Sequence, residues 1–257
     1  MSKGKLPTIL ITNDDSVYSK GICELIKVAR GLGNVVVVAP DSVRSGMSGA
    51  ITHKEHIRLT LLHEEEGFVV YSCSGTPVDC VKLALFSVFK DNKPDLLLSG
   101  INHGSNASVN AVYSATVAAA KEGCISNIPS IALSLCEFDE DADFSHTLPE
   151  IKKLVSHVLE HSLPHGTYLN VNFPGGELKG MKVCRQSDAF WDQEFDHISS
   201  YYGDSTFQLA GFYVCREPDA EDADYWALSH QYGSIVPQKI DMTDYDTLVN
   251  LKNILNG

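Results

Sequence analysis

The order of apolar and polar runs predicts an α/β fold: a mainly parallel sheet, helices on both of its faces and a C-terminal β-hairpin extension. Three observations carry this expectation. From residue 8 to about 163, short β-branched runs alternate with helical stretches, the pattern of βαβ units. Strand candidates such as Val35 to Ala39 are apolar throughout, as expected where both faces of a parallel sheet are covered. Beyond Pro174 the texture shifts to shorter strands and acidic turns.

Thr8 to Ile11 is the first strand. Gly21 to Arg30 follows as a helix with Ile22, Leu25, Ile26 and Ala29 on one face, stopped by Gly31 and Gly33. Val35 to Ala39 is the second strand, ended by Pro40-Asp41. Residues 41 to 56 form a polar loop with Arg44, Ser45, Gly46, Ser48 and Gly49, a length that goes with function. Strands around Ile57 to Leu61 and Phe68 to Tyr71 come next. Thr76-Pro77-Val78-Asp79 opens a helix with a capping Thr, Pro in the first turn and an acid three residues on. Asp95 to Ser99 is a buried strand ending in Gly100-Ile101-Asn102-His103-Gly104, and a loop from Asn102 to Tyr113 leads into an Ala-rich helix at Ser114. Pro129 to Leu135, Leu148 to Leu159 and Tyr168 to Val171 read as strand, helix and strand.

In the last third, short strands at Met181 to Cys184 and Phe207 to Val214, the acidic Asp219 to Asp224 and a helix from Asp244 to Leu255 look added to the sheet. The expected organisation is one domain over residues 1–257, in which residues from about 175 onward form the extension. The partly aromatic Phe190 to Tyr213 reads either as an oligomerisation arm or as a hairpin covering its own domain.

The chain's 257 residues can bury a large core. With 20 Lys and Arg against 33 Asp and Glu, the formal charge of −13 argues against holding a nucleic-acid polymer by its phosphates. An anionic substrate must then be met locally, by a metal or by backbone N–H groups. Met1 to Lys5 is followed by only a short apolar strand, and no run approaches the ~20 apolar residues of a membrane span. A soluble, cytoplasmic protein is expected. The seven cysteines are odd in number, dispersed and never Cys-x-x-Cys, which fits small core residues better than a zinc site or disulfides.

The chemistry concentrates in Ile9-Leu10-Ile11-Thr12-Asn13-Asp14-Asp15, a buried strand running into two adjacent carboxylates. Like charges this close destabilise each other unless a cation or shared proton compensates. In an open α/β sheet, ligands bind in the crevice beyond the strand ends. A hard divalent metal is one answer; a plain Asp cap on the next helix is the other. Three loops follow three strands, at Asn13 to Lys20, Asp41 to Lys54 and Asn102 to Tyr113. If those strands are neighbours, Asp14, Asp15, Ser45 and Asn102 converge with two carboxylates, a hydroxyl and an amide carbonyl. That set suits Mg²⁺ or Mn²⁺, with Co²⁺ a further candidate and water completing the shell. No His or Cys cluster falls there for zinc. Such a metal polarises a phosphoryl group and makes water a nucleophile near neutral pH.

For the phosphate, the helix start at Ser114 and Thr116 offers unpaired N–H groups, the positive end of its dipole and two hydroxyls, and Asn106 can add another donor. Ser114 also reads as a plain N-cap. His103, beside Asn102, is a candidate general acid or a structural histidine. There is no Gly-x-x-x-x-Gly-Lys-Ser/Thr loop, no Gly-x-Gly-x-x-Gly after the first strand and no Gly-x-Ser-x-Gly elbow. Ser16, two residues after Asp14, breaks the Asp-x-Asp pattern of an aspartyl-phosphate route.

Five ordered motifs add a resemblance. They are Ile9 to Asp15; Val38-Ala39-Pro40-Asp41 with Arg44-Ser45-Gly46; Gly75-Thr76-Pro77-Val78-Asp79-Cys80-Val81-Lys82; Ser99-Gly100-Ile101-Asn102-His103-Gly104-Ser105-Asn106; and Tyr113-Ser114-Ala115-Thr116 through Gly123. Together they resemble the SurE family of survival-protein nucleotidases, and Leu169-Asn170-Val171-Asn172-Phe173-Pro174 extends the likeness. The resemblance implies a Rossmann-like fold and a divalent-metal phosphatase acting on nucleoside 5′- and 3′-monophosphates, and in some members on short polyphosphate. It implies a homodimer or homotetramer with an exchanged C-terminal hairpin. It places metal ligands on Asp14, Asp15, Ser45 and Asn102, catalysis on Asp14 and Asp15, and phosphate binding on Asn106, Ser114 and Thr116. The family usually has glycine where this chain has Ser16 and Ala115, so a non-catalytic nucleotide sensor stays open beside the enzyme.

Overall fold

The computed structural model describes residues 6–256; Met1 to Lys5 lie outside the described residues. The strands, in chain order, are β1 (Thr8–Thr12), β2 (Asn34–Pro40), β3 (Leu59–Glu65), β4 (Phe68–Cys73), β5 (Leu96–His103), β6 (Ser130–Leu135), β7 (Thr167–Phe173), β8 (Met181–Val183), β9 (Ala189–Asp192), β10 (Phe195–Tyr201), β11 (Asp204–Leu209), β12 (Phe212–Cys215) and β13 (Gly233–Lys239). The helices are α1 (Lys20–Arg30), α2 (Pro77–Leu83), α3 (Asn110–Tyr113), α4 (Ala115–Ile125), α5 (Leu148–His161), α6 (Asp224–Ser229) and α7 (Tyr245–Asn256). One sheet runs β3-β4-β2-β1-β5-β6-β7-β13-β8. Its interior pairings from β4 to β7 are parallel, while β3 and β13 run antiparallel to β4 and β7.

β1 sits between β2 and β5 because the chain first winds outward to β2 and β4, then returns past β1 to β5. That reversal opens a crevice at the carboxyl end of β1. The continuous apolar runs are explained by burial on both faces. Ile9 and Ile11 pack with Ile22, Leu25, Ile151 and Val155 of α1 and α5, whereas Leu10 packs with Cys80, Val81, Val117 and Ala120 of α2 and α4. Each fully buried Leu or Ile contributes about 1.5–3 kcal/mol relative to exposure. Two glycines set how closely helices approach: a Cβ on Gly21 would lie 1.9 Å from the Ile101 carbonyl oxygen, and one on Gly123 would lie 2.5 Å from Ser130 Oγ. The first brings α1 against β5 beside Asn102; the second seats α4 on β5 and β6.

The Thr76 cap forms as expected. Its Oγ1 accepts from Asp79 N at 3.1 Å, and Asp79 Oδ2 accepts from Thr76 N at 2.9 Å. The same carboxylate accepts from Thr52 Oγ1 at 2.6 Å, which pins the long loop after β2. Buried Cys73, Cys80, Cys124 and Cys184 behave as core residues, and no cysteine among the described residues is bridged.

Three differences from the sequence reading stand out. β5 runs on through a cis peptide at Gly100-Ile101 to His103, so Asn102 lies on a strand end rather than in a loop. The stretch from Phe207 to Val214 splits into β11 and β12 at Gly211, whose φ of +98° turns the chain from one ladder to another. β13 enters the main sheet between β7 and β8, so the last third is partly integral to the sheet. The β10-β11 hairpin and α7 remain exposed, the hairpin presenting Phe195, Ile198, Tyr201, Tyr202, Phe207 and Leu209.

Candidate active site

The turn after β1 is built from short polar side chains. Asn13 Nδ2 donates to Ser16 O at 2.8 Å and to Ser19 Oγ at 2.9 Å, which closes the turn upon itself. Val17 N donates to Pro40 O at 2.8 Å and Arg44 N to Asp14 O at 2.7 Å, fastening this turn to the loop after β2. Ser16 takes φ of +90°, a region that glycine occupies without strain. Ala115 takes no positive φ; it is the first residue of α4 and fully buried, so the chain accommodates its methyl group.

The carboxylates project into the crevice between β1 and β5. Asp14 is 3 % exposed and Asp15 half-buried. Thr116 Oγ1 donates to Asp14 Oδ1 at 2.5 Å and lies 3.3 Å from Asn102 Oδ1, so one hydroxyl gathers residues from β1, β5 and α4. Asn102 Nδ2 is anchored to the Gly104 and His103 carbonyls at 2.8 and 3.2 Å, which leaves its carbonyl oxygen turned toward Thr116. Asp15 Oδ2 accepts from His103 N at 3.1 Å. Burial first, then repulsion from Asp15, pushes the Asp14 carboxyl up to about 7. Burial also raises Asp15, partly offset by the His103 N–H.

Among the described residues no Lys, Arg or His pairs with either acid. Asn13 Oδ1 is buried there with no partner among the described residues. A negative pair held by neutral donors, with amide oxygens beside it, fits a hard divalent cation rather than a thiolate or imidazole metal.

The expected site residues divide by what they touch. Asp14, Asn102 and Thr116 come together through the bonds above, and Asp15 is tied to the same strand end by the His103 N–H. Ser45 follows Arg44, whose amide bonds Asp14, and its exposed hydroxyl has no hydrogen-bond partner among the described residues. Ser114 caps α4, its Oγ accepting from Val117 N at 3.1 Å, which leaves its own proton free to donate. Asn106 joins a separate buried network: its Nδ2 donates to Ser134 Oγ, its N to Asn172 Oδ1 and its carbonyl accepts from Asn170, each at 2.8 Å. His103 is held by a bond between Nδ1 and Asp139 O at 2.9 Å and by edge packing on Phe144.

The sequence reading missed the residues that brace this loop. Asp224, fully buried at the start of α6, accepts from Ser108 N and Oγ at 2.8 and 2.7 Å and from Ser187 N and Oγ at 3.0 and 2.7 Å. Trp191 Nε1 adds a bond to Asn110 Oδ1 at 2.8 Å. Asn170 and Asn172, spaced two apart on β7, carried a legible signal as polar residues on one face of a buried strand.

Comparison with known proteins gives a consistent picture. A family profile described as "Survival protein SurE" matches residues 9–193. A protein of Phocaeicola vulgatus named 5′-nucleotidase SurE is 48 % identical over 252 residues, covering 98 % of each chain. One of the same name from Cytophaga hutchinsonii is 47 % identical and covers 95 % of each. The crystal structure of the SurE protein from Aquifex aeolicus superposes with a TM-score of 0.83 at 36 % identity, over 96 % of this chain and 99 % of that one.

Proposed function

The chain belongs to the SurE family, and from that premise we propose that it is a divalent-metal-dependent 5′-nucleotidase, hydrolysing nucleoside 5′-monophosphates, and 3′-monophosphates as well, to nucleoside and phosphate. The observation that carries the proposal is the adjacent Asp14-Asp15 pair, Asp14 buried and Asp15 half-buried, with no salt bridge to a cation among the described residues, at the point where the strand order reverses. Asp14, Asp15, Ser45 and Asn102 would hold Mg²⁺, Mn²⁺ or Co²⁺. When bound, such an ion supplies Lewis-acid polarisation of the phosphoryl group and makes a water acidic enough to attack near neutral pH.

The chain's own groups set the geometry. Thr116 fixes the Asp14 rotamer by its hydroxyl, and the His103 N–H fixes Asp15. The Ser114 proton and the opening N–H groups of α4 are the groups to receive the phosphate, with the second Nδ2 hydrogen of Asn106, whose first is held by Ser134, as a further donor. No helix among the described residues is long and apolar enough to cross a membrane, and we place the enzyme in the cytoplasm. The exposed apolar face of β10 and β11 reads as an arm that packs on a second copy, giving a homodimer or homotetramer.

A panel of 5′- and 3′-monophosphates assayed for free phosphate with Mg²⁺, Mn²⁺, Co²⁺ or chelator tests the reaction. Metal-dependent phosphate release supports it; nucleotide binding without turnover under every metal would leave a sensor instead.

A further inference from the structure

A cavity of about 720 Å³ lies beside α4, over β7 and β13. Its polar floor is a cross-strand pair, since Tyr168 on β7 stands opposite Gln238 on β13 and both line the space. Tyr168 is only 5 % exposed and forms part of the cavity lining. Gln238 Nε2 donates to Gln186 Oε1 at 3.2 Å, while its Oε1 is buried with no partner among the described residues. Leaving such a buried acceptor unpaired costs about 1–3 kcal/mol, so the Gln238 carbonyl oxygen favours a ligand that supplies the missing donor. Val117, Ala118 and Pro237 give the apolar walls.

Both rims of this cavity continue segments that hold Asp14. Ser114 lines it, and Thr116, two residues along the chain, donates to Asp14. Ser48 lines it, and Arg44, four residues back on the same loop, donates its amide to the Asp14 carbonyl. Ser48 Oγ donates to Val112 O at 2.9 Å, joining the two rims. Ser114 is thus shared between the start of α4, where the phosphate is proposed to sit, and the lining of this cavity.

We infer that the cavity takes the nucleoside moiety of the substrate, with Gln238, Gln186 and Tyr168 meeting the hydrogen-bonding edge of the base and the apolar walls covering its faces. Apolar walls with a few convergent polar groups are the usual form of a small-molecule site, and here Lys121, Arg185, Lys239 and Asp241 also contribute to the lining. A glutamine amide sets a donor beside an acceptor, the pattern that pairs with adenine. A phosphate ester lacking the base leaves these buried groups unpaired, which is how a polar pocket rejects an incomplete ligand. The inference rests on the nucleotidase reading.

The test compares kcat/KM for adenosine 5′-monophosphate and ribose 5-phosphate in the full chain with Mn²⁺, for wild type, Gln238→Ala and Tyr168→Phe. Wild type should prefer the nucleotide, and Gln238→Ala should shrink that preference about tenfold or more, chiefly through KM of the nucleotide. Adenosine should compete with ribose 5-phosphate, with a weaker inhibition constant in the variant. Tyr168→Phe, which keeps the ring, should move both quantities in the same direction while melting as wild type does. An unchanged preference together with unchanged adenosine inhibition in both variants overturns the inference. If the wild-type chain hydrolyses neither ester, the nucleotidase reading fails, and calorimetry with adenosine decides the cavity alone. Binding that weakens in Gln238→Ala supports it; absent or unaltered binding ends it.

Discussion

Two buried aspartates in this chain have opposite surroundings. Asp224 is closed off from solvent and receives four donors, two from Ser108 and two from Ser187. Asp14 is nearly as buried, receives the Thr116 hydroxyl with smaller help from backbone N–H groups and faces a second carboxylate; burial first, then that repulsion, holds its proton up to about 7. A carboxylate whose lone pairs are filled by the protein is a joint. One that the protein leaves short of positive charge is waiting for a ligand. The difference teaches that burial alone does not mark a site; the balance of donors around the charge does.

Exchanging the charges should break the comparison most visibly at Asp14. Asp14→Asn should abolish turnover, a loss well beyond the ~10–100-fold that removing an outer partner of a metal ligand causes. It should nevertheless leave the metal-free protein at least as stable at pH 7, measured by thermal melting. The sign follows from the proton. Asp14 ordinarily titrates near 3.8, and the fold raises it to about 7, so the folded chain binds the proton more tightly than the unfolded one. Metal-free wild type should therefore lose stability as pH rises from about 4 to about 7, and Asp14→Asn should flatten that slope. A variant that melts far below wild type at pH 7 would contradict this account of Asp14.

Asp224→Ala should do the reverse. It strands the amides of Ser108 and Ser187, and two or more buried unsatisfied donors at about 1–3 kcal/mol each should lower the melting temperature clearly. Residual activity at low temperature should fall much less than in Asp14→Asn. Equal losses of turnover in the two variants would erase the distinction between joint and site.

Thr116→Val sharpens the comparison by removing the single hydroxyl that Asp14 does receive. The metal concentration for half-maximal activity should rise by about 10–100-fold, as for other outer partners of metal ligands. Unaltered metal dependence would mean that Thr116 does not orient the acid.

The smallest effect is expected at Ser16. Its φ of +90° stores strain that Ser16→Gly relieves, against the greater freedom of glycine in the unfolded chain. A net gain of about 1 kcal/mol, read from denaturant midpoints, is the expected balance. A loss of stability would show that the Ser16 side chain does more than tolerate the turn.

Much of the fold was legible because its signals are local. Continuous apolar strands, the Thr76-Asp79 cap and the adjacent acids at Asp14 and Asp15 each declare themselves within a few residues. The convergence expected of Asp14, Asp15, Ser45 and Asn102 rested on neighbouring strands; Thr116 links Asp14 with Asn102, which sits on β5 itself, while no hydrogen bond among the described residues ties the Ser45 side chain to them. What sequence did not disclose depends on distant pairing. Asp224 meets Ser108 across 116 positions and lies in an acidic run that reads as solvated surface. The Tyr168-Gln238 floor exists only through the antiparallel register of β7 and β13, and nothing near either residue announces it. The role of Thr116 was anticipated as an anion donor, whereas its hydroxyl is engaged with a carboxylate of the chain itself.

The place of β13 bears on how this chain is made. Synthesis delivers β7 some sixty residues before its sheet neighbour, so a growing polypeptide has the Asp14 crevice ready while the Thr167–Phe173 edge is still bare. An apolar strand left open in that way invites pairing with other nascent chains. Stalled or truncated products ending before Gly233 should accordingly collect in the insoluble fraction, and a chaperone that shields the open edge until the ribosome finishes should matter more for yield than the stability of the finished molecule.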